Sequence, residues 1–523
     1  MMNHPPTLEA AEAVIAVQAE QIAVQAGQIA RQDQRIAQLV AQINALRRRI
    51  FGPATEITAA ELRLMDANQQ MIDPAWLGDC QQEKPVPAPA EMAPAKPSRP
   101  PRQGLAQRCP LLPIENYDQP LPPAMQAEVD AGTAMAQRTG TYHDELVVPG
   151  VKAVIKRIFA VEIQQVAQPG IVTAVPATPR IAPGSELADV TIIRLMVGKF
   201  LDAMPINRQV KAWERDGIDL SRQTANANVL RCAELLEPLA AAIRAEVLTS
   251  DIVHADESWF RLRDDELDRK CRRVNIWTLV GGGQVAYHYT ADRTHQRAEE
   301  VVGKTFAGFL VRDEWQGWAR LDQPTQAGCN AHARRPFARL QEEHPRAAEM
   351  VALYGKVYAI EADCRATKRS GEELWRHRRD ERQRRTAQIM DEIKNLAKRI
   401  DQELPPSHEL AVGARYITTH WERLTLFLKH GELPPDNNLA ENCLRINALI
   451  RKNSLFFGSP DGGTAAATAL TVLHSCRLMN IDVMNYMRHV TTRLLAFPKP
   501  TEQELSALTP KAYAATMAKT KTG

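Results

Sequence analysis

Three acidic residues stand where their chemistry could be pooled. Asp256 closes the run Ile252-Val253-His254-Ala255, Asp313 follows Phe309-Leu310-Val311-Arg312, and Glu441 lies in the first turns of a segment opened by Pro434-Pro435-Asp436. Carboxylates at the ends of neighbouring strands project toward one edge of a sheet, and a helix packed there can bring a third. Oxygen ligands of this kind suit Mg²⁺ or Mn²⁺, which keep waters and take up phosphate. Two such ions, about 4 Å apart, would activate a nucleophile and stabilise the leaving oxygen of an in-line displacement. Each acid alone has a plainer reading. An Asp at a strand end is commonly a turn former, and Glu441 with Arg445 is an i,i+4 ion pair worth a few tenths of a kcal/mol.

The elements that must position these acids are legible around them. Asp436 is an expected N-cap. On the helix that follows, Asn437 or Asn438, Glu441, Arg445 and Ala448 recur at three- or four-residue steps and share a face, with Arg451 and Lys452 beyond. Upstream, Ile252 to Asp256 and Val274 to Val280 read as strands. Gly281-Gly282-Gly283 reads as a hairpin turn into Val285 to Tyr289. No Lys-Ser/Thr follows the glycines, so they are not a phosphate cradle. A helix and the strand ending at Asp313 complete an α/β pattern.

Residues 188–245 carry helical periodicity in three segments, Val190 to Met204, Ile206 to Asp216 and Ser221 to Leu236. Ser221 is an expected N-cap, and Arg222 and Gln223 line the first turn beyond it. This resembles a helix-turn-helix whose second helix enters a major groove, although a plain helical hairpin has the same pattern. Residues 337–430 are expected to be helical. Between Arg365 and Arg399 they hold twelve Lys/Arg against six Asp/Glu, either a track for a phosphate backbone or a solvated face. Residues 115–185 read as a small β module and 80–114 as a proline-rich linker. Residues 493–523 read as a loose tail. Ile15, Ile22, Ile29, Ile36, Ile43 and Ile50 recur every seven residues, predicting a coiled coil over 8–51 and self-association.

Composition bounds the alternatives. The 523 residues carry a net charge of only +3, so any basic surface is local. Eight cysteines without a Cys-x-x-Cys exclude a zinc ribbon and a disulfide framework. No apolar run reaches the ~18 residues of a membrane span, and no leader pattern opens the chain. A soluble protein of a reducing cytoplasm is expected.

Four blocks carry a family resemblance: His254-Ala255-Asp256-Glu257-Ser258; Arg312-Asp313-Glu314-Trp315-Gln316-Gly317-Trp318; Cys329-Asn330-Ala331-His332-Ala333-Arg334-Arg335-Pro336-Phe337; and Asp436-Asn437-Asn438 through Arg451-Lys452-Asn453. In order and approximate spacing they resemble transposases of the insertion-sequence-66 family. The resemblance covers most of the chain from about 36 to 490.

It implies a multidomain α plus α/β protein: an N-terminal coiled coil, a helix-turn-helix, and an RNase H-like mixed-sheet core. That core would span 247–336 and 431–492, with 337–430 as a basic helical insertion. Asp256, Asp313 and Glu441 become a DDE catalytic triad holding two Mg²⁺ or Mn²⁺ ions for strand cleavage and transfer at element ends. His332, Arg334 and Arg335 become contacts to phosphate near the metals. Asn437, Asn438, Arg445 and Lys452 position DNA or the helix, and Arg451 contacts DNA, as do Arg222 and Gln223 in the helix-turn-helix. The implied partners are terminal inverted repeats, target DNA, further copies of the chain and companion proteins of the same element. The implied location is the bacterial cytoplasm, at the nucleoid.

Three departures from the family pattern stand out. Cys109 alone, with Ala131-Gly132-Thr133-Ala134, occupies the region of the usual Cys-x-x-Cys pairs, so no zinc is expected. Glu314 replaces a glycine and is expected as an extra acid beside the metals. Asn330 and Pro336 replace a tryptophan and a lysine. The alternative function is a DNA-binding, oligomerising protein that keeps the fold without turnover. Trp315 and Trp318 are expected to pack the core, with stacking on a DNA base as the other use.

Overall fold

The chain divides into two units, Met1–Ser98 and Arg99–Gly523. A computed structural model describes residues 104–148, 153–166, 172–174, 178–264, 271–497 and 499–522, all in the second unit. The expected coiled coil and most of the expected linker lie outside the described residues. The linker's last part is docked: Leu105 and Cys109 are buried, and Arg108 pairs with Glu186 and donates to the Asp219 carbonyl at 2.8 Å.

A small sheet follows, built from β1 (Ile114–Asp118), β2 (Ala134–Val147), β3 (Val154–Gln165) and β4 (Val172–Ala174), with α1 (Pro123–Asp130) between β1 and β2. β3 is central, parallel to β1 and antiparallel to β2 and β4. Leu121, Met125 and Val129 cover Ala134, Val161 and Ile163, which gives the module an apolar core without sulfur ligands.

Three helices come next: α2 (Asp189–Phe200), α3 (Ile206–Arg215) and α4 (Arg222–Leu248). Ser221 caps α4 by accepting the Thr224 N–H at 3.0 Å. α4 does not stop at Leu236 as expected. It runs through Pro238, because the buried row Leu236, Leu239, Ile243 and Val247 continues to the core and outweighs the lost backbone hydrogen bond.

The main sheet holds β5 (Ile252–Arg263), β6 (Cys271–Gly281), β7 (Gln284–Thr290), β8 (Phe309–Val311) and β9 (Thr325–Ala327), in the order β7-β6-β5-β8-β9, with α5 (His295–Val302) before β8. β7, β6 and β5 are antiparallel, whereas β5, β8 and β9 are parallel. Gly282 and Gly283 turn the β6–β7 hairpin with φ of 58° and 82°, the left-handed pair a two-residue hairpin needs. The domain is a mixed α/β structure.

Residues 330–430 form a helical layer of α6 (Asn330–Arg339), α7 (Pro345–Ala366), α8 (Gly371–Glu381), α9 (Ala387–Glu403) and α10 (Glu409–Thr419). Its own core, with Phe337, Met350, Tyr354, Ile393, Leu396 and Phe427, reaches Val311 and Ala327 in the sheet. Between α8 and α9 a π-helical turn, Arg382–Thr386, points Arg382 inward. There it meets Glu361 through two bonds of 2.7 and 2.9 Å and donates to the Phe427 and His430 carbonyls, each at 2.7 Å. The basic block is therefore less free than its composition implies. Arg369, Arg376, Arg379, Arg384, Arg385 and Arg399 all have carboxylate partners.

The chain returns to the sheet in α11 (Asn438–Ser454) and α12 (Pro460–Leu478), then α13 (Val483–Ala496), α14 (Glu502–Leu508) and α15 (Pro510–Thr522). α12 closes the β7 edge. Thr471 Oγ1 accepts the Tyr287 N–H at 2.9 Å, and Ser475 Oγ accepts the Val285 N–H at 3.0 Å while donating to its carbonyl at 2.9 Å. Four helical residues rise about 6 Å and two strand residues about 6.8 Å, so hydroxyls at i and i+4 match alternate strand residues. The expected loose tail is instead helical and docked: Tyr486 donates to the Leu508 carbonyl at 2.8 Å, and Thr509 donates to Glu246 of α4 at 3.0 Å. Among the described residues no helix is long and apolar enough to cross a membrane.

Candidate active site

β8 pairs with β5 only as far as the His254–Val311 step. Beyond it β5 continues along β6 with its β8 side released, and Asp256 and Asp313 both sit just past the parting. Ligand oxygens of Asp256, Glu257 and Asp313 lie within 4.8 Å of one another. Glu257 was missed in the sequence because strand alternation assigns it to the opposite face from Asp256. At an open edge, a side chain of glutamate length reaches round.

Burial, then the charge of Asp313, and then that of Glu441 push the Asp256 carboxyl up to about 8. Burial and Asp313 also raise Glu257 well above the usual carboxylate range, against the pull of Arg293, with which it is paired. The second oxygen of Glu257, Oε2, is buried without a hydrogen-bond partner. A crowded, all-oxygen set with an orphaned buried oxygen fits a hard divalent cation.

The local fold holds Asp313 through its Oδ1, which accepts the Trp315 N–H at 3.2 Å. Trp315 and Trp318 pack on Trp277 at centroid distances of 5.4 and 5.1 Å, which is the core use expected for them. Gly317 is required by this packing, since a Cβ there would stand 2.0 Å from the Trp315 ring.

Glu441 arrives on α11. Its Oε2 accepts from Arg335 at 3.3 Å, and its Oε1 stands 3.3 Å from Nδ1 of His332 without hydrogen-bond alignment. Burial first, and Arg335 second, lower the basicity of His332, against the pull of Glu441. Cys329 lies within 4.8 Å of both His332 and Glu441. Burial holds it as a thiol, pushed up to about 12, and its sulfur accepts the Asn437 N–H at 3.2 Å.

Several expectations need correction. Asn437 is fully buried: its amide donates to the Ala255 carbonyl at 2.9 Å and its Oδ1 meets His254 Nδ1 at 3.0 Å. It fastens α11 to β5 and has no surface left for DNA. Asp436 does cap α11, accepting the Asn438 N–H at 3.1 Å, but from one residue before the N-cap position. Arg451 is also turned inward, donating to Ser258 Oγ at 2.8 Å and to the Trp259 carbonyl at 2.9 Å.

Glu314 does not join the group formed by Asp256, Glu257 and Asp313. Its carboxylate turns to Arg312 at 2.8 Å and Arg423 at 2.7 Å, with His420 at 3.4 Å. Asn330, in place of the family tryptophan, donates to the carbonyls of Leu424 and Pro435, each at 2.9 Å. Asn438, Arg445, Lys452 and Arg335 are exposed, and Arg334 is half-buried with its Nε unpartnered. Arg222 and Gln223 are exposed on the first turn of α4.

Without a bound cation, Asp256 keeps its proton in the folded state to about pH 8, while the unfolded chain loses it near pH 4. Stability is therefore expected to fall as pH rises from about 4 to about 8, by a few kcal/mol. Asp256→Asn should flatten that decline. Thermal midpoints in chelator across this range check it, and a wild-type stability that rises through the window would contradict it.

A mixed α/β domain that gathers carboxylates where its parallel strands part is the class defined by fold and site. The family described as "Transposase IS66 family" matches residues 186–465. The chain belongs to that transposase family. The uncharacterized protein y4jD of Sinorhizobium fredii is 27% identical over 487 residues, covering 88% of this chain and 91% of that one. The uncharacterized protein y4hP of the same organism is 29% identical over 352 residues, covering 62% and 61%. No solved structure matches.

Proposed function

We propose that the protein is the DNA transposase of an insertion element, cleaving strands at the element's ends and joining them to target DNA with divalent-metal assistance. The observation that carries this is the convergence of Asp256 and Asp313 from different strands, with Glu257, at the point where β5 and β8 part. The sheet order, three antiparallel strands followed by two parallel ones, supports an RNase H-like core.

Asp256, Asp313 and Glu441 would hold the ions, Mg²⁺ or Mn²⁺, with Glu257 beside them. When bound, such ions polarise phosphoryl oxygens and lower the pKa of an attacking water or 3′-hydroxyl. The chain's own part is to fix the carboxylates beforehand. Arg335 orients Glu441, with His332 packed beside the same carboxylate. Arg293 offsets Glu257. Asn438, Arg445 and Lys452 offer an exposed polar and cationic row on α11 to DNA, while Arg222 and Gln223 suit a groove contact through α2–α4. Glu314 pairs with Arg312 and Arg423, so of the two grounds for a scaffold without turnover only the absent cysteine pairs remain.

The test is nicking of a labelled duplex carrying the element's end, with Mn²⁺ or with chelator, for the wild type and for Asp313→Asn. Nicking that needs the metal and disappears in the variant is the expected result. Nicking unaffected by Asp313→Asn would end the proposal. The same variant should bring the Asp256 titration down, because Asp313 is the second-largest cause of its elevation.

A further inference from the structure

Beyond the acids, the sheet face that carries Glu257 continues as a ladder of arginine and tryptophan. Residues opposite one another in adjacent strands share a face, so Glu257 with Trp277, Trp259 with Asn275, and Arg261 with Arg273 lie along one side of β5 and β6. The Arg293 guanidinium lies over the Trp315 ring at 4.5 Å, next to its partner Glu257. Further along, the guanidiniums of Arg451 and Arg273 both lie over Trp259, at 4.4 and 5.3 Å. Arg261 and Arg273 then face each other directly across the two strands.

A directly opposed pair of like charges destabilises a sheet. No ion pair reaches Arg261, Arg273 or Arg451 among the described residues, whereas most arginines of the helical layer are matched with carboxylates. Two of the three, Arg451 and Arg273, are lowered in basicity by burial and a neighbouring arginine. Burial, with Arg273 second, lowers Arg451 to about 10. Arg273 is lowered by burial and then by Arg293. Aromatic planes hold the guanidiniums in set orientations, and Arg273 is exposed. A polyanion laid on this face would relieve the repulsion.

We propose that this face of β5 and β6 is a backbone-phosphate track for the DNA strand that enters the acidic cluster, contacted by Arg261 and Arg273, with Trp259 and Arg451 as the plate and brace that set them. It rests on the strand-cleavage function proposed for the acids and extends the substrate's path away from them.

The experiment is binding of the full-length chain to a labelled duplex of the element's end at several salt concentrations, for the wild type, Arg261→Ala/Arg273→Ala and Asp313→Asn. Each lost phosphate contact lowers the slope of log affinity on log salt by about 0.9. The double variant should lose close to two such steps and bind roughly tenfold or more weakly at 0.1 M salt. Asp313→Asn should keep the wild-type slope. The thermal midpoint of the double variant should stay level or rise, since a repulsion has been removed, whereas a purely structural pair would lower it. A wild-type slope in the double variant, with wild-type binding intact, overturns the track and leaves the transposase proposal standing. A wild type that neither binds nor nicks the element's end overturns both.

Discussion

Glu441→Gln is expected to reduce metal-dependent nicking by about 1000-fold or more, near 4 kcal/mol of transition-state stabilisation, while leaving binding to the element's end within a few-fold of wild type. The substitution keeps the volume and one carbonyl oxygen, so the bond from Arg335 at 3.3 Å can persist. It removes the charge that would share the ions with Asp256 and Asp313. With binding measured in chelator, where no ion bridges the phosphate, one fewer carboxylate facing a polyanion does not weaken binding. Loss of turnover with preserved affinity then isolates the chemical step. Nicking assays and affinity measurements on one preparation separate the two. Wild-type nicking in this variant would take Glu441 out of the catalytic set and leave Glu257 as the third carboxylate.

Arg382→Ala should be the most destabilising single change in the helical layer, costing about 3–5 kcal/mol. Arg382 is fully buried and makes two bonds to Glu361 and two to the carbonyls of Phe427 and His430. Truncation leaves the buried Glu361 carboxylate only the more distant Arg378, at 3.9 Å, and two carbonyls without donors. Denaturant unfolding measures the loss. Glu361→Leu combined with Arg382→Met should recover much of it, because an apolar pair has no desolvation cost. A double variant as unstable as Arg382→Ala would mean that the carbonyl bonds, and not the ion pair, hold the segment leading to Asp436.

What was legible in the sequence was the chemistry that repeats in a simple pattern. Asp256 and Asp313 stand out as acids closing apolar runs, and the glycine turn between β6 and β7 announces itself by its composition. Glu257 was hidden by the same alternation rule that finds strands, because the rule assumes a neighbour on both sides and β5 loses one after His254. Asn437 read as a contact either to DNA or to its own helix; the tertiary contacts with Ala255 and His254, which no local pattern shows, make it a fastener of the helix. The partners of Glu314 could not be read either, since Arg423 lies far along the chain and arrives through the helical layer. Pro238 marked a false end for α4, where burial of one face outweighed a local preference. The coiled coil expected over 8–51 falls outside the described residues.

The fastening of α11 carries one more consequence. Its start is tied to β5 by Asn437 on the Ala255 carbonyl, and past its end Phe457 exchanges backbone bonds with Arg261 and Arg263 at 2.7 and 2.8 Å. Leu455, at φ 52°, makes the sharp reversal between. The helix is thus splinted to the strand at both ends, and Glu441 cannot slide along Asp256 without breaking one tie. Under the function proposed here, the spacing of these carboxylates would be set before DNA arrives. Adjustment on engagement would fall to the nucleic acid, which would bend or fray to present its phosphate to a fixed frame.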